Sequence, residues 1–396
     1  MKKILKSLSL SLILCTTSAV ATAPVFGYYN DNQIWDCPEP CKKLWFDAEY
    51  LFLKLSDSKA PPPLVITGPG PLLPVLGGAG TEVVLGGKEI HNSWRSAGKF
   101  TLGYWFDNSC LLGAEIGYFF LPHGEKKSSV TADGSPPSAI LTTPFFNVVT
   151  GLEDSTGVAI PGVFSGVAKL KVSNNLQGAE FNIVAVSDIN CDFEYRLLAG
   201  VRWVNFDEKL LFTTSSPFLA PVDIWKTEDK FNVRNNFYGG QLGGGIRWNQ
   251  CQYSIDATVK VALGAMYEHL TIAGKLVTND FNGFGSPITY PGGYFALPTN
   301  IGHYKKTKFS AIPEAEINFG YEIYPGLTAK LGYMFMYISD VLEAGNQIDR
   351  NINPSQSSAI SDTDTPALVG AAAPIAKIKS SSLWVQGAKF SLIYFF

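Results

Sequence analysis

The last sixteen residues, SSLWVQGAKFSLIYFF, alternate with period two. Trp384, Ala388, Phe390, Leu392, Tyr394 and Phe396 share one face, broken only by Gln386, while Gly387, Lys389 and Ser391 share the other. That pattern specifies a strand with one apolar and one mostly polar face. An edge strand of a soluble sandwich would also alternate, but here Phe395 and Phe396 put two aromatic rings at a terminus that would otherwise fray. Beyond the N-terminal region the chain has no run of about eighteen apolar residues, so no helix is long enough to span a bilayer. An apolar-faced strand in lipid must then belong to a closed barrel, because open sheet edges cannot stay unpaired there.

The terminal strand resembles the assembly signal of bacterial outer-membrane barrels in Gly387, in Phe390, Leu392 and Tyr394 spaced two apart, and in Phe396; Val385 departs from the usual polar first position. The resemblance implies outer-membrane lipid and a barrel assembly machinery as partners. At the other end, Lys2, Lys3 and Lys6 precede the apolar run Leu8 to Cys15 and a small-residue stretch around Ala19 to Ala23, which reads as a secretory signal over residues 1–23. Leu14 before Cys15 argues against a lipoprotein anchor. Residues 24–44 form a periplasmic segment and 45–396 the barrel, which places the protein in the cell outer membrane. A net charge of −3 gives no reason to expect a nucleic-acid partner. The 38 glycines, 24 prolines and 13% aromatic content suit an all-β chain with many turns and rings at both rims. At 396 residues a soluble chain would more often be two domains, and that alternative stays open at this point.

From Trp45 onward the same grammar repeats. Phe46, Ala48, Tyr50 and Phe52 alternate with Asp47 and Glu49, and the two carboxylates read as a solvated lumen face in preference to a catalytic pair. Strands are expected at 94–106 and 110–121, 177–187 and 191–206, 231–248 and 251–268, 305–323 and 327–338, each pair joined by a short turn. Longer connections, 56–93, 122–175, 207–230, 269–304 and 339–380, separate these pairs. Alternating short and long connections match periplasmic turns and external loops. The fold expected is a closed antiparallel transmembrane barrel of about ten strands, or twelve or more if the long loops hide others. The stretch PPPLVITGPGPLLPVLGGAG is too rich in Pro and Gly for a central strand, yet apolar enough to fold into the barrel mouth as a plug or to pack on its neighbours.

The blocks WFDAEYLFLKL, VLGGAGTEVVLGG, RSAGKFTLGYWFD, GAEIGYFFL, RLLAGVRW, RNNFYGGQLGGG, VKVALGAMYEHLTIAG, IPEAEINFGYEI, LGYMFMYISDV and LWVQGAKFSLIYFF resemble, in order, the seventh putative beta-barrel porin family. The resemblance implies architecture and location, and brings no catalytic residues or substrate with it.

Parity points Glu115, Glu194, Arg196, Arg202, Asp256, Lys260, Glu314, Glu316 and Lys330 inward. They mix both signs, and ten strands lie nearer the side-chain-filled barrels than the open channels, so any conductance should be small. Small-solute passage is the first functional reading. The second is a surface-interaction protein anchored by its barrel, and the third an outer-membrane hydrolase, for which His91-Asn92-Ser93 is the one local candidate. The glycine-rich FYGGQLGGG continues a strand and starts no helix, so it is no phosphate loop; the chain is read as a non-enzyme without metal or cofactor. Loss of the signal leaves Cys37, Cys41, Cys110, Cys191 and Cys251, an odd number. Cys110, Cys191 and Cys251 each follow a short turn, in parity with outward residues. Alternate strands stand about 9.5 Å apart, beyond the roughly 6.8 Å a disulfide spans between α-carbons. The Cys37–Cys41 segment, extended by two prolines to about 12 Å, is likewise too long for a bond between its ends. Bonds from this segment to one foot, or to neighbouring envelope proteins, remain, and a periplasmic ring of cross-linking sites is the expectation.

Overall fold

The computed structural model describes residues 42–69, 72–190, 192–218, 225–279 and 286–396. The expected signal peptide, most of the N-terminal segment, Cys37, Cys41 and Cys191 lie outside these. The strands are β1 (Leu44–Leu55), β2 (Pro63–Gly68), β3 (Glu82–Gly86), β4 (Arg95–Trp105), β5 (Leu112–Ala132), β6 (Ile140–Asn147), β7 (Leu152–Ala159) and β8 (Gly166–Asn190). They continue as β9 (Phe193–Ser215), β10 (Trp225–Gln250), β11 (Tyr253–Thr278), β12 (Ile288–Pro291), β13 (Gly302–Tyr324), β14 (Leu327–Leu342), β15 (Asn351–Ile352) and β16 (Ser380–Phe395).

Ten of these form a closed antiparallel ring in the order β10-β9-β8-β5-β4-β1-β16-β14-β13-β11, closed by β10 pairing β11, with β12 appended to β11. The terminal strand is the seam: β16 pairs β1 from Trp45↔Phe395 to Leu55↔Val385 and β14 from Leu327↔Tyr394 to Leu342↔Ser380. Gly387 sits in that seam because a side chain there would meet the Phe52 carbonyl oxygen at 2.0 Å.

Exposed rings mark the membrane. Tyr50, Trp94, Tyr118, Tyr238, Tyr267 and Tyr333 form an upper girdle, and Tyr104, Tyr195, Trp248, Tyr253, Tyr321 and Tyr394 a lower one. On β10 the two girdles are ten residues apart, Tyr238 to Trp248. At about 3.3 Å per residue and a tilt near 40°, that is about 25 Å, the height of a barrel's apolar band.

Several strands run far past this band, and here the sequence expectation is corrected. Of the residues expected to be loops, 207–215 and 225–230 extend β9 and β10, and 122–132 and 166–175 extend β5 and β8. Above the girdle the apolar phase inverts: Val204, Phe206, Leu210 and Phe212 of β9 are buried inward, whereas Tyr195, Leu197 and Val201 below it are exposed outward. Water surrounds the upper wall and a packed core fills it, so the pattern that signals a membrane strand reverses there.

That core is supplied by the remaining loops. β2, β3, β6, β7 and β15 make a second, five-stranded sheet that adds nothing to the ring, so hidden strands leave the barrel count at ten. The Pro/Gly-rich stretch does contain a central strand, contrary to expectation: β2 pairs β3 on one side and β6 on the other. Pro63 is tolerated because it is the first residue of the strand, and the β2–β3 register shifts beside it.

Candidate functional site

The barrel interior is layered. At the periplasmic end Trp45 and Trp105, with ring centroids 4.6 Å apart, pack with Val184, Leu198 and Ile393. Around them lie separate ion pairs, Arg196–Glu115 at 2.5 Å, Arg247–Glu194 at 3.5 Å and Lys330–Asp256 at 2.9 Å. Asn318 donates a further hydrogen bond to Asp256 at 2.7 Å.

Midway up, Lys99, Arg202, Lys260 and Lys389 meet Glu49, Glu180, Glu314 and Glu316. Lys99 lies 3.5 Å from Glu49 and 3.4 Å from Glu316. Lys389 reaches Glu49 at 3.0 Å and also pairs Glu316. Lys260 lies 2.7 Å from Glu314 and 3.1 Å from Glu180, and Arg202 donates to Glu314. Each cation bridges or abuts carboxylates from different strands, so the network ties opposite walls together. The void beside it is about 20 Å³, room for about one water. The carboxylate of Glu49 is therefore buried and ion-paired, a correction to its reading as a solvated lumen group.

An apolar layer follows, with Leu51, Phe206, Phe237, Met266, Ile312 and Met336 among its members. Higher still, the mouth loops pack against the upper wall: Leu64, Phe145, Tyr294, Phe295 and Leu342 share one core with Phe212, Phe231 and Leu270. Three inward side chains of the wall hold these loops. Asn235 donates to the Leu342 carbonyl at 3.0 Å and accepts from the Leu342 N–H at 2.7 Å. Glu208 accepts from Ala344 N–H at 2.8 Å and from Ser58 Oγ at 2.7 Å. Asp229 accepts from the backbone N–H of Tyr294, Phe295 and Ala296 at 3.0, 3.0 and 2.7 Å. Gly293 is required beside it, since a side chain there would stand 2.5 Å from Asp229 Oδ1.

These clamps lie above the membrane band and titrate. Burial pushes Glu208 up to about 7, helped by nearby Glu343, while its hydrogen bonds from Ser58 and Ala344 oppose the shift. Burial likewise raises Asp229 to about 6 against its three N–H bonds, and raises Glu343. A carboxyl whose folded value is raised contributes stability that is complete below its unfolded value, near 4–4.5, and is lost as pH rises through the folded value. Thermal unfolding should therefore fall in midpoint from about pH 5 to about pH 8.5, with Glu208 contributing on the order of 2–3 kcal/mol. Glu208→Gln should flatten that slope; an unchanged slope would remove Glu208 from the clamp.

All nine inward charges read from sequence lie on the lumen side. Glu115 with Arg196, Glu194 with Arg247, and Asp256 with Lys330 fall in the lower layer. Arg202, Lys260, Glu314 and Glu316 fall in the mid-barrel network. Glu180, Arg247 and Lys389 belong with them and were legible by parity, alternating with the outward Phe181, Trp248 and Phe390. In the hydrolase candidate His91 Nδ1 is 2.6 Å from Asp57, and Ser93 Oγ accepts from Lys126 at 2.5 Å.

Cys110 and Cys251 are not strand residues. Both occupy turns with φ of 54°, before β5 and β11 begin, so strand parity does not govern them. Cys110 packs against the inward Trp45–Trp105 cluster, correcting its outward assignment. Cys251 is exposed and free. In the terminal strand, Phe390, Leu392, Tyr394 and Phe396 are exposed outward, and Gly387 faces in.

The family model described as Putative beta barrel porin-7 matches residues 45–396. No curated protein matches the chain. Similar solved structures include the outer membrane protease OmpT from Escherichia coli, 9% identical over 92% of this chain and 99% of that one, with a TM-score of 0.43. The Ralstonia pickettii toluene transporter TbuX is another, 10% identical over 90% of each chain, with a TM-score of 0.22.

Proposed function

We propose, from the premise that the chain belongs to the Putative beta barrel porin-7 family, that this outer-membrane barrel passes small solutes only when its mouth loops withdraw. The observation that carries the gating is the filled interior, where an apolar loop core caps a layer of apolar wall side chains and a balanced charge network. The cross-strand charges would line a polar path once the loops leave, and their mixed signs would give weak ion preference. Residues 1–23 act as an export signal and 24–44 as a periplasmic segment, and the lumen performs no catalysis. Assembly is completed through the terminal strand, with outer-membrane lipid and the barrel assembly machinery as partners. In planar bilayers the refolded full-length protein should conduct little, and deletion of residues 60–80, which removes β2, should raise the conductance. Equal silence from both would reject gated passage.

The filled interior also favours a second reading, a barrel that anchors surface loops and is cross-linked at its periplasmic end through the exposed thiol of Cys251. Non-reducing gels of cells quenched with an alkylating agent should then show high-mass species that collapse with reductant and vanish in Cys251→Ser. A monomer band alone in both lanes ends this reading.

A further inference from the structure

Above the upper girdle, the outward face of β5, β8, β9, β10, β11 and β13 is strongly basic. The register sets its rows. Nearest the girdle, Arg234 of β10 lies between Asp207 and His269, with Lys305 beyond His269. Next comes Lys209 opposite Asn232, and then Lys230 in a row with Lys171 and Lys127. Higher still stand Lys169 and Lys275 on either side of Thr213 and Glu228, and last Lys226.

Among the described residues of this face only Glu125, Asp207 and Glu228 oppose these cations, and each is engaged locally. Glu125 pairs Lys127 and Lys171 at 2.5 Å each, Glu228 pairs Lys230 at 2.6 Å, and Asp207 pairs Arg234 at 3.3 Å. Lys169, Lys209, Lys226 and Lys305 are exposed and make no ion pair among the described residues. The excess is local, since the whole chain carries a net charge of −3. Interleaved with the cations on the same face are Asn232, Asn236, Thr213 and Thr271, groups able to hydrogen-bond hydroxyls. Lys169, Lys226 and Lys275 rim a cavity of about 270 Å³ on this face.

Height decides what such a face meets. Arg234 stands four residues above Tyr238 and Lys226 twelve. With the rise and tilt used above, the basic rows span about 10 to 30 Å beyond the apolar band. A phospholipid headgroup layer is only about 5–7 Å deep per leaflet, so it would reach the lowest row at most.

We propose that this face binds the anionic saccharide of an outer-leaflet glycolipid, its lysines pairing sugar-borne phosphates or carboxylates and its amides and hydroxyls contacting the sugar ring. The proposal rests on the membrane placement of the barrel but not on any solute passing through it. The barrel would thereby be embedded laterally in the glycan layer as well as in lipid.

The test uses the full-length protein in non-ionic detergent, titrated with lipopolysaccharide carrying a phosphorylated core, with the same material dephosphorylated, and with phosphatidylglycerol. Binding is read from the unfolding midpoint by heat-modifiable gel mobility. The phosphorylated glycolipid should raise the midpoint in a salt-sensitive way, and the other two should not. Lys169→Gln/Lys226→Gln, two exposed changes, should leave the lipid-free midpoint alone and weaken binding about thirtyfold. If that pair misfolds, Lys209→Gln/Lys305→Gln serves the same purpose. Equal stabilisation by phosphatidylglycerol, no response to any of the three, or unchanged affinity in the folded variant would overturn the proposal. Bilayer conductance is read separately, so failure here leaves the gating reading standing.

Discussion

Arg202→Ala should lower the unfolding free energy of the barrel by about 3 kcal/mol while leaving ion selectivity as it was. Arg202 is 5% exposed, and its guanidinium donates to Glu314, with Met336 Sδ 3.2 Å away. Removing it strands part of the charge on a buried carboxylate, the costly way to break such a pair. The loss should fall at the lower end of the usual range because Lys260 still reaches Glu314 at 2.7 Å. A double change, Arg202→Met with Glu314→Gln, should recover much of it by removing both charges at once. Urea unfolding in micelles measures the first quantity and reversal potentials in bilayers the second. A shifted selectivity at unchanged stability would show that water fills the mid-barrel.

Asp229→Ala should release the loop that runs from β12 to β13, at a cost of about 3–5 kcal/mol. One carboxylate accepts three buried backbone N–H groups, those of Tyr294, Phe295 and Ala296, and no side chain could replace it from alanine's position. Asp229→Asn should be intermediate. Its oxygen can still accept from Phe295 and Ala296, but its amide nitrogen would face the Tyr294 N–H donor. Because Tyr294 and Phe295 belong to the core that fills the mouth, protease should cut within residues 286–301 of the alanine variant before the barrel melts. Resistance equal to the parent's would mean that apolar packing alone seats the loop.

The wall of the barrel within the membrane was legible because lipid outside and polar groups inside impose a strict period-two code. Phe100, Leu102 and Tyr104 face out and Lys99 faces in, as the alternation requires. The same parity located the lumen charges one by one, though it could not say that Glu49 and Lys389, near opposite ends of the sequence, would meet at 3.0 Å. Above the upper girdle the code failed for a physical reason. There Leu210, Phe212, Phe231 and Leu270 point inward against loops distant in sequence, and lysines point outward into water.

The sequence by itself determined an antiparallel ring of about ten strands, its apolar-faced terminal strand, and which side chains enter the lumen within the bilayer, since each follows from local alternation and turn spacing. Tertiary structure decided that the count stays at ten and the ring closes by β16 pairing β1, how far the wall rises above the membrane, that β2, β6 and the loop around Tyr294 fill it, and that its charges neutralise one another across the lumen. Those outcomes depend on burial between segments hundreds of residues apart, and burial reverses the meaning of an apolar residue according to what lies on its far side.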